Sequence, residues 1–295
     1  MGDNIMNSRM NNIEEFFSSS SSKNGLQYLQ IQDISSFSLM HTFINSRECP
    51  HCGSHLVVSK GNYRGRKRYQ CKDCGKSYND LTKTPFSGIH NLDKIKKYLT
   101  SMISGDSIRK AAEIVNVSIT TSFYWRHKLL NGLSRLPSPK MKNVKEIKEL
   151  VIPYSHKGQR TRLLSEVMRS KISAVFVCDR TGKLDSDSIA FSERCNNPIF
   201  SRLREISNQH TDIICPPFFE NIMSNFDGNI KTPSTSYTQP MLIDHIINSW
   251  QAWMKRFHGV ASKYLANYLH WFDYLDNTQF KSDKIVKLVQ LLLTA

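Results

Sequence analysis

A chain of 295 residues, 39% of them hydrophobic and 10% aromatic, is long enough for two domains or three small ones and can bury a core. Its formal net charge of +15 is concentrated: residues 47–142 hold 19 Lys+Arg against 6 Asp+Glu, a balance of +13, while residues 1–46 come to −2 and residues 143–295 to +4. No run reaches the roughly 18 apolar residues of a membrane span, and the start lacks the basic-then-apolar order of a secretory signal, so no membrane partner and a cytoplasmic location are expected.

Residues 1–46 are polar, with a serine run over 18–22, and are expected to form a partly disordered extension. Residues 47–82 follow as a cysteine segment. Cys49-Pro-His-Cys52 and Cys71-Lys-Asp-Cys74 are two C-x2-C pairs with 18 residues between them, within the window for a structural zinc ribbon ligated by Cys49, Cys52, Cys71 and Cys74. Each pair forms a knuckle that aims two thiolates at one point, and Gly53 and Gly75 follow where the knuckle needs a positive φ. Seven cysteines in a cytosolic chain suit metal ligation and spare thiols better than disulfides. Between the knuckles the run KGNYRGRKRY over 60–69 predicts a two-stranded basic ribbon, with Arg64, Arg66, Lys67 and Arg68 suited to phosphate contacts.

Helical periodicity returns over 93–133, and a helix-turn-helix is expected within 90–135. Asp106 is a candidate cap for a helix through Ile108, Ala111, Ala112 and Ile114, with Asn116-Val117 as the turn and Ser118 as the cap of a second helix. Val117 and Phe123 are expected to fill the angle between the helices. Arg109, Lys110, Thr120, Thr121, Tyr124, Arg126 and Lys128 are the candidate DNA contacts, the last five on the polar side of the recognition helix. Residues 136–143 (LPSPKMKN), with two prolines, read as a linker. Beyond it, residues 172–178 (ISAVFVC) predict a buried strand. The closing helices repeat Trp250, Trp253, Phe257, Tyr264, Tyr268, Trp271 and Phe272 at helical spacing, a pattern that favours core packing over base stacking.

The segments CPHCGS, KRYQCKDCGKSYNDLTKTP and SIRKAAEIVNVSITTSFYWRHKLL resemble the front end of bacterial insertion-sequence transposases of the ISXO type. WMKRFHGVASKYLANYLHWFDYL, over 253–275, resembles their closing segment. The resemblance implies an α/β RNase H-like domain over 144–295, with a mixed sheet and C-terminal helices. In the family, that domain uses a DDE or DDNK set and two Mg2+ ions to cut and join DNA. Here the family's catalytic positions fall on Lys148, Pro217, Asp244 and Gln251, with Glu146 and Glu149 near the first. A lysine ammonium has no lone pair to give a metal, so no catalytic residue is expected unless Asp179, Asp212 or Asp227 supplies a missing acid. Three functions follow. The favoured one is a catalytically inactive, sequence-specific DNA-binding protein, a regulator of transcription or a non-catalytic factor in DNA handling. The alternatives are an active transposase, which alone would require Mg2+, and a protein-interaction scaffold on the old catalytic fold. Double-stranded DNA is the expected partner, with a dimeric protein associated with the bacterial nucleoid.

Overall fold

The computed structural model describes residues 48–63, 66–136, 141, 144–155, 171–179, 181–190, 213–214, 230–231, 242–278, 288 and 292. The chain forms two compact units. One comprises Ser21–Ser104, Ile108–Leu136 and Phe280–Ala295; the other comprises Met1–Ser20, Gly105–Ser107 and Pro137–Gln279. The expected extension over 1–46, Arg64 and most of the linker over 136–143 lie outside the described residues.

The N-terminal unit begins with a three-stranded antiparallel sheet, β1 (Val57–Tyr63), β2 (Arg66–Cys71) and β3 (Ser77–Asn79), in the order β1-β2-β3. Its core is small. Cys49, Cys71 and Tyr78 are buried, with Val57, Tyr69 and Cys74 packed against them, and Tyr69 stacks on Tyr78 at 5.5 Å. Three helices follow: α1 (Leu92–Ile103), α2 (Ile108–Val115) and α3 (Ile119–Leu133). Their core is supplied by Ile95, Tyr98, Leu99, Met102, Ala111, Ala112, Val115, Trp125, Leu129 and Leu130. The small Ala111 and Ala112 are buried as anticipated. Val117 and Phe123 are only half-buried, however, whereas Val115 and Trp125 are buried.

A buried hydroxyl ties the three helices together. Ser122 Oγ on α3 donates to the Ile108 carbonyl of α2 at 2.8 Å, and Tyr98 of α1 donates to the Ser122 carbonyl at 2.5 Å. Gly132 closes the far end of α3. A methyl group there would lie 2.3 Å from Pro85 Cγ and 2.8 Å from Leu292 Cδ2. Leu288 and Leu292, one helical turn apart, are both fully buried, with Leu292 beside Gly132.

The C-terminal unit is built on a five-stranded mixed sheet of β4 (Val144–Pro153), β5 (Lys171–Asp179), β6 (Leu184–Ala190), β7 (Ile213–Ile214) and β8 (Ile230–Lys231), in the order β6-β5-β4-β7-β8. The pairs β4–β5 and β5–β6 are antiparallel, whereas β4–β7 and β7–β8 are parallel. The apolar run of β5 is buried from Ile172 to Asp179, as expected for a strand covered on both faces. Helix α4 (Leu242–Met254) packs on it, with Trp250 edge-on to Phe176 at 5.5 Å. Trp253 then meets Trp271 of α5 (Leu265–Asn277) at 4.9 Å and 79°, and Phe257 at 4.7 Å. Trp250, Trp253, Tyr268, Trp271 and Phe272 are core, while Phe257 and Tyr264 are half-buried; the edge-to-face contacts suit the ring quadrupoles.

Strand β6 lies at the end of the sheet, and α5 lends it side chains. Asn277 accepts the Leu184 N–H at 2.8 Å and returns a bond to the Leu184 carbonyl at 2.6 Å. Asp273 accepts from the Ser186 N–H at 2.8 Å and from its hydroxyl at 2.7 Å. Burial, reinforced by the neighbouring Asp185 charge, pushes the Asp273 carboxyl well above the usual carboxylate range despite these donors.

Candidate metal centre and nucleic-acid interface

The two C-x2-C pairs fold into near copies of one knuckle. Cys49 N–H donates to the Ser54 carbonyl at 2.8 Å and Gly53 N–H to the Cys49 carbonyl at 2.8 Å. Cys71 N–H donates to the Lys76 carbonyl at 3.1 Å and Gly75 N–H to the Cys71 carbonyl at 3.1 Å, the same offsets in the second pair. Gly53 and Gly75 take φ of 75° and 68°, the left-handed region that the turn demands and that a side chain would strain.

The knuckles bring the Sγ atoms of Cys49, Cys52, Cys71 and Cys74 within 4.8 Å of one another. Cys49 to Cys74 and Cys52 to Cys71 are each 3.6 Å. Sulfurs placed about 2.3 Å from a tetrahedral zinc are about 3.8 Å apart, whereas a disulfide needs about 2.05 Å. The four thiols are unlinked and can hold a metal ion such as zinc. The backbone N–H groups of Cys74 and then Asp73 hold the Cys71 thiol down at about 6. At Cys52 the Ser54 N–H favours the thiolate, but burial and the neighbouring sulfurs outweigh it and push the thiol up to about 12. Crowding four thiolates without a cation is unfavourable, and a divalent ion reverses that balance.

The basic ribbon divides by side chain. Lys67 is exposed. Arg66 is engaged with Asp80 at 2.6 Å, and the Arg68 guanidinium lies over the Tyr63 ring at 5.6 Å. The Arg66–Asp80 pair spans a separation of fourteen residues, so no local pattern announced it.

A short turn joins α2 and α3. Asn116 takes φ of 52°, a conformation that asparagine tolerates better than most residues. Val117 N–H donates to the Ala112 carbonyl at 3.0 Å. The Ser118 side chain accepts from the Thr121 N–H at 3.1 Å and meets its hydroxyl at 2.8 Å, satisfying a helix-start donor. Lys94 of α1 donates to the Asn116 carbonyl at 2.8 Å, an anchor the sequence did not disclose. Helix α2 starts two residues after Asp106, at Ile108.

Along α3, Thr120 is exposed, Tyr124 is 54% exposed and Thr121 is half-buried. Arg109 and Lys110 are exposed on α2. Lys128 is half-buried, bonded to the Ser87 carbonyl and to the Tyr124 hydroxyl at 3.1 Å. Arg126 corrects the expectation: its side chain is fully buried, 5.7 Å over the Tyr98 ring, and does not belong to the polar face. The helix turns about 100° per residue, which places Arg126 in line with the buried Ser122, Leu129 and Leu133. Neither α2 nor α3 carries an acid in its first turn, so no carboxylate competes there with a phosphate. Ile119, 56% exposed at the first position of α3, went unnoticed because an isoleucine reads as core.

In the C-terminal unit Lys148 of β4 forms an ion pair with Asp244 in the first turn of α4. Two residues away on the same face of β4, Glu146 accepts the Ile243 N–H at 2.9 Å, capping that helix and complementing its dipole. Gln251, two turns further along α4, is exposed. The Asp179 carboxylate is occupied by its own turn, accepting from the Thr181 N–H at 2.8 Å, the Thr181 hydroxyl at 2.7 Å and the Lys183 N–H at 2.8 Å. Glu149, on the opposite face of β4 from Glu146, accepts from Ser173 of β5. Asp212, Pro217 and Asp227 lie outside the described residues. Among the described residues, the one group of three or more gathered metal-ligating side chains is the cysteine set.

The chain is similar to an uncharacterized protein in transposable element ISH50 of Halobacterium salinarum, with 30% identity over 119 residues. The match covers 39% of this chain and 40% of the relative. No family model matches, and no solved structure matches. Among the described residues no helix is long and apolar enough to cross a membrane.

Proposed function

We propose that this chain is a transposase-derived protein that binds duplex DNA sequence-specifically through its zinc ribbon and helix-turn-helix, and that it acts in regulation or DNA handling without cutting strands. The observation that carries the binding reading is the pair α2–α3 in the stretch of +13 charge, with Ser118 capping α3 and Ile119 and Thr120 exposed at its start. A helix with that presentation can enter a major groove while nearby lysines and arginines hold the phosphates. The similarity to a transposable-element protein supports the origin, and the mixed sheet with α4 against its central strands supports an RNase H-like scaffold.

The non-catalytic part rests on Lys148. Its ammonium meets the Asp244 carboxylate at two positions where the resemblance to insertion-sequence transposases implies metal ligands. A cation there opposes Mg2+ and occupies an acid the metal would need. Incubating the full chain with a selected duplex and Mg2+ or Mn2+ tests both halves. Salt-sensitive, sequence-selective binding without nicking or joining is expected. Metal-dependent strand cleavage would install the enzyme reading instead.

A further inference from the structure

The first turn of α3 carries three β-branched residues in succession, Ile119, Thr120 and Thr121. This is a poor choice for helix propensity. Thr121 is used by the cap. Thr120 is exposed, and Ile119 keeps 56% of its surface in water, although a buried core lies along the same helix at Ser122, Trp125 and Leu129. Scattered exposed isoleucines are ordinary; what distinguishes this one is its place beside Ser118, with a neighbouring exposed threonine, on the turn that a recognition helix presents to base edges.

The chemistry of the major groove supplies a matching apolar partner. Its base-pair edges carry hydrogen-bond donors and acceptors together with one hydrocarbon group, the C5 methyl of thymine. An isoleucine has no hydrogen-bonding atom and is stiff at χ1, so it can cover a methyl with little loss of side-chain freedom. Resting on the DNA-binding reading above, we infer that Ile119 is a specificity-determining residue that contacts a thymine methyl, with Thr120 beside it, so that the preferred site carries an A·T pair at that step. Arg109, Lys110 and Lys67 contribute charge without base preference.

The test uses the full chain. Its preferred duplex is selected from a random library, and each thymine is then replaced in turn by uracil, which removes the C5 methyl alone. At one position uracil is expected to weaken wild-type binding about fourfold, the worth of one buried methyl. Ile119→Ala, with unchanged helix content and zinc content, is expected to bind the thymine duplex at least that much more weakly and to ignore the uracil replacement. Ile119→Val keeps part of the discrimination. The inference is overturned if uracil costs nothing at any position, or costs Ile119→Ala as much as wild type, while sequence-selective binding persists. Failure to enrich any duplex would instead remove the DNA-binding reading and this inference with it.

Discussion

In the N-terminal unit, Lys67 of β2, Arg109 and Lys110 of α2 and Thr120 and Tyr124 of α3 are exposed, and the ribbon's core amounts to a few side chains around four sulfurs. In the C-terminal unit, polar side chains are turned onto the protein's own backbone: Asp179 onto its turn, Glu146 onto α4, Asp273 and Asn277 onto β6. The first unit bonds Arg66, Lys94 and Lys128 internally as well, but keeps Lys67, Arg109, Lys110 and Thr120 exposed, and its ribbon is suited to stabilisation by a bound ion. The other rests on a core of tryptophan, phenylalanine and leucine. Buried polar groups must find partners in either case.

Removing the metal should break the comparison most sharply. Structural zinc contributes on the order of 10 kcal/mol to domains of this size, more than the ribbon's small core can replace. Elemental analysis should find one zinc per chain, and Cys71→Ser or a strong chelator should unfold residues 48–80 while near-ultraviolet signals from Trp253 and Trp271 persist. Loss of both signals together would mean that the sheet unit also depends on the ion.

Arg126→Ala ranks next. Emptying a fully buried site over Tyr98 should cost about 2–4 kcal/mol of helical-unit stability, read as a lower melting temperature. Base preference should stay unchanged in the fraction that remains folded. A folded variant with altered preference would return Arg126 to the recognition surface.

Asp273→Asn probes the internal strategy. A carboxyl whose folded pKa lies above its unfolded value binds more protons when folded. Its favourable contribution is therefore complete below the unfolded value of about 3.9 and declines as pH rises towards the folded one. The slope cannot exceed about 1.4 kcal/mol per pH unit. Asparagine can accept the Ser186 N–H through Oδ1 and donate from Nδ2 to the Ser186 hydroxyl without that penalty, so the variant should be at least as stable as wild type at neutral pH and should lose this slope in urea titrations above about pH 4. The smallest effect is expected at the surface: Lys67→Gln should lower the slope of log affinity against log salt by about one, evenly across sequences.

The knuckles were legible because their chemistry is local: two ligands three residues apart, a glycine after each pair and a second copy downstream. Asn116 and Ser118 were legible for the same reason, as were the buried β5 and the aromatic spacing of α4 and α5. Arg126 was misread because charge was taken as a sign of exposure, whereas its phase along α3 is that of Leu129 and Leu133. The Lys148–Asp244 pair, 96 residues apart, could be anticipated only through resemblance, since no periodicity links a strand to so distant a helix. The bonds from Asp273 and Asn277 to β6 cross similar gaps, and Leu292 gave no sign of lying beside Gly132 of α3. Long-range polar pairing and the return of a chain end are properties of the assembled fold, which short windows of sequence do not carry.

The hold of α5 on β6 also bears on how copies of this protein can meet. A sheet's last strand ordinarily presents unpaired amides and carbonyls, a template on which another chain can add a strand. Here Leu184 is bonded through both backbone groups, and the Ser186 amide is taken. A neighbouring strand would have to evict Asn277 and Asp273 before it could pair. Continuous sheets running from one molecule to the next are therefore obstructed at this margin.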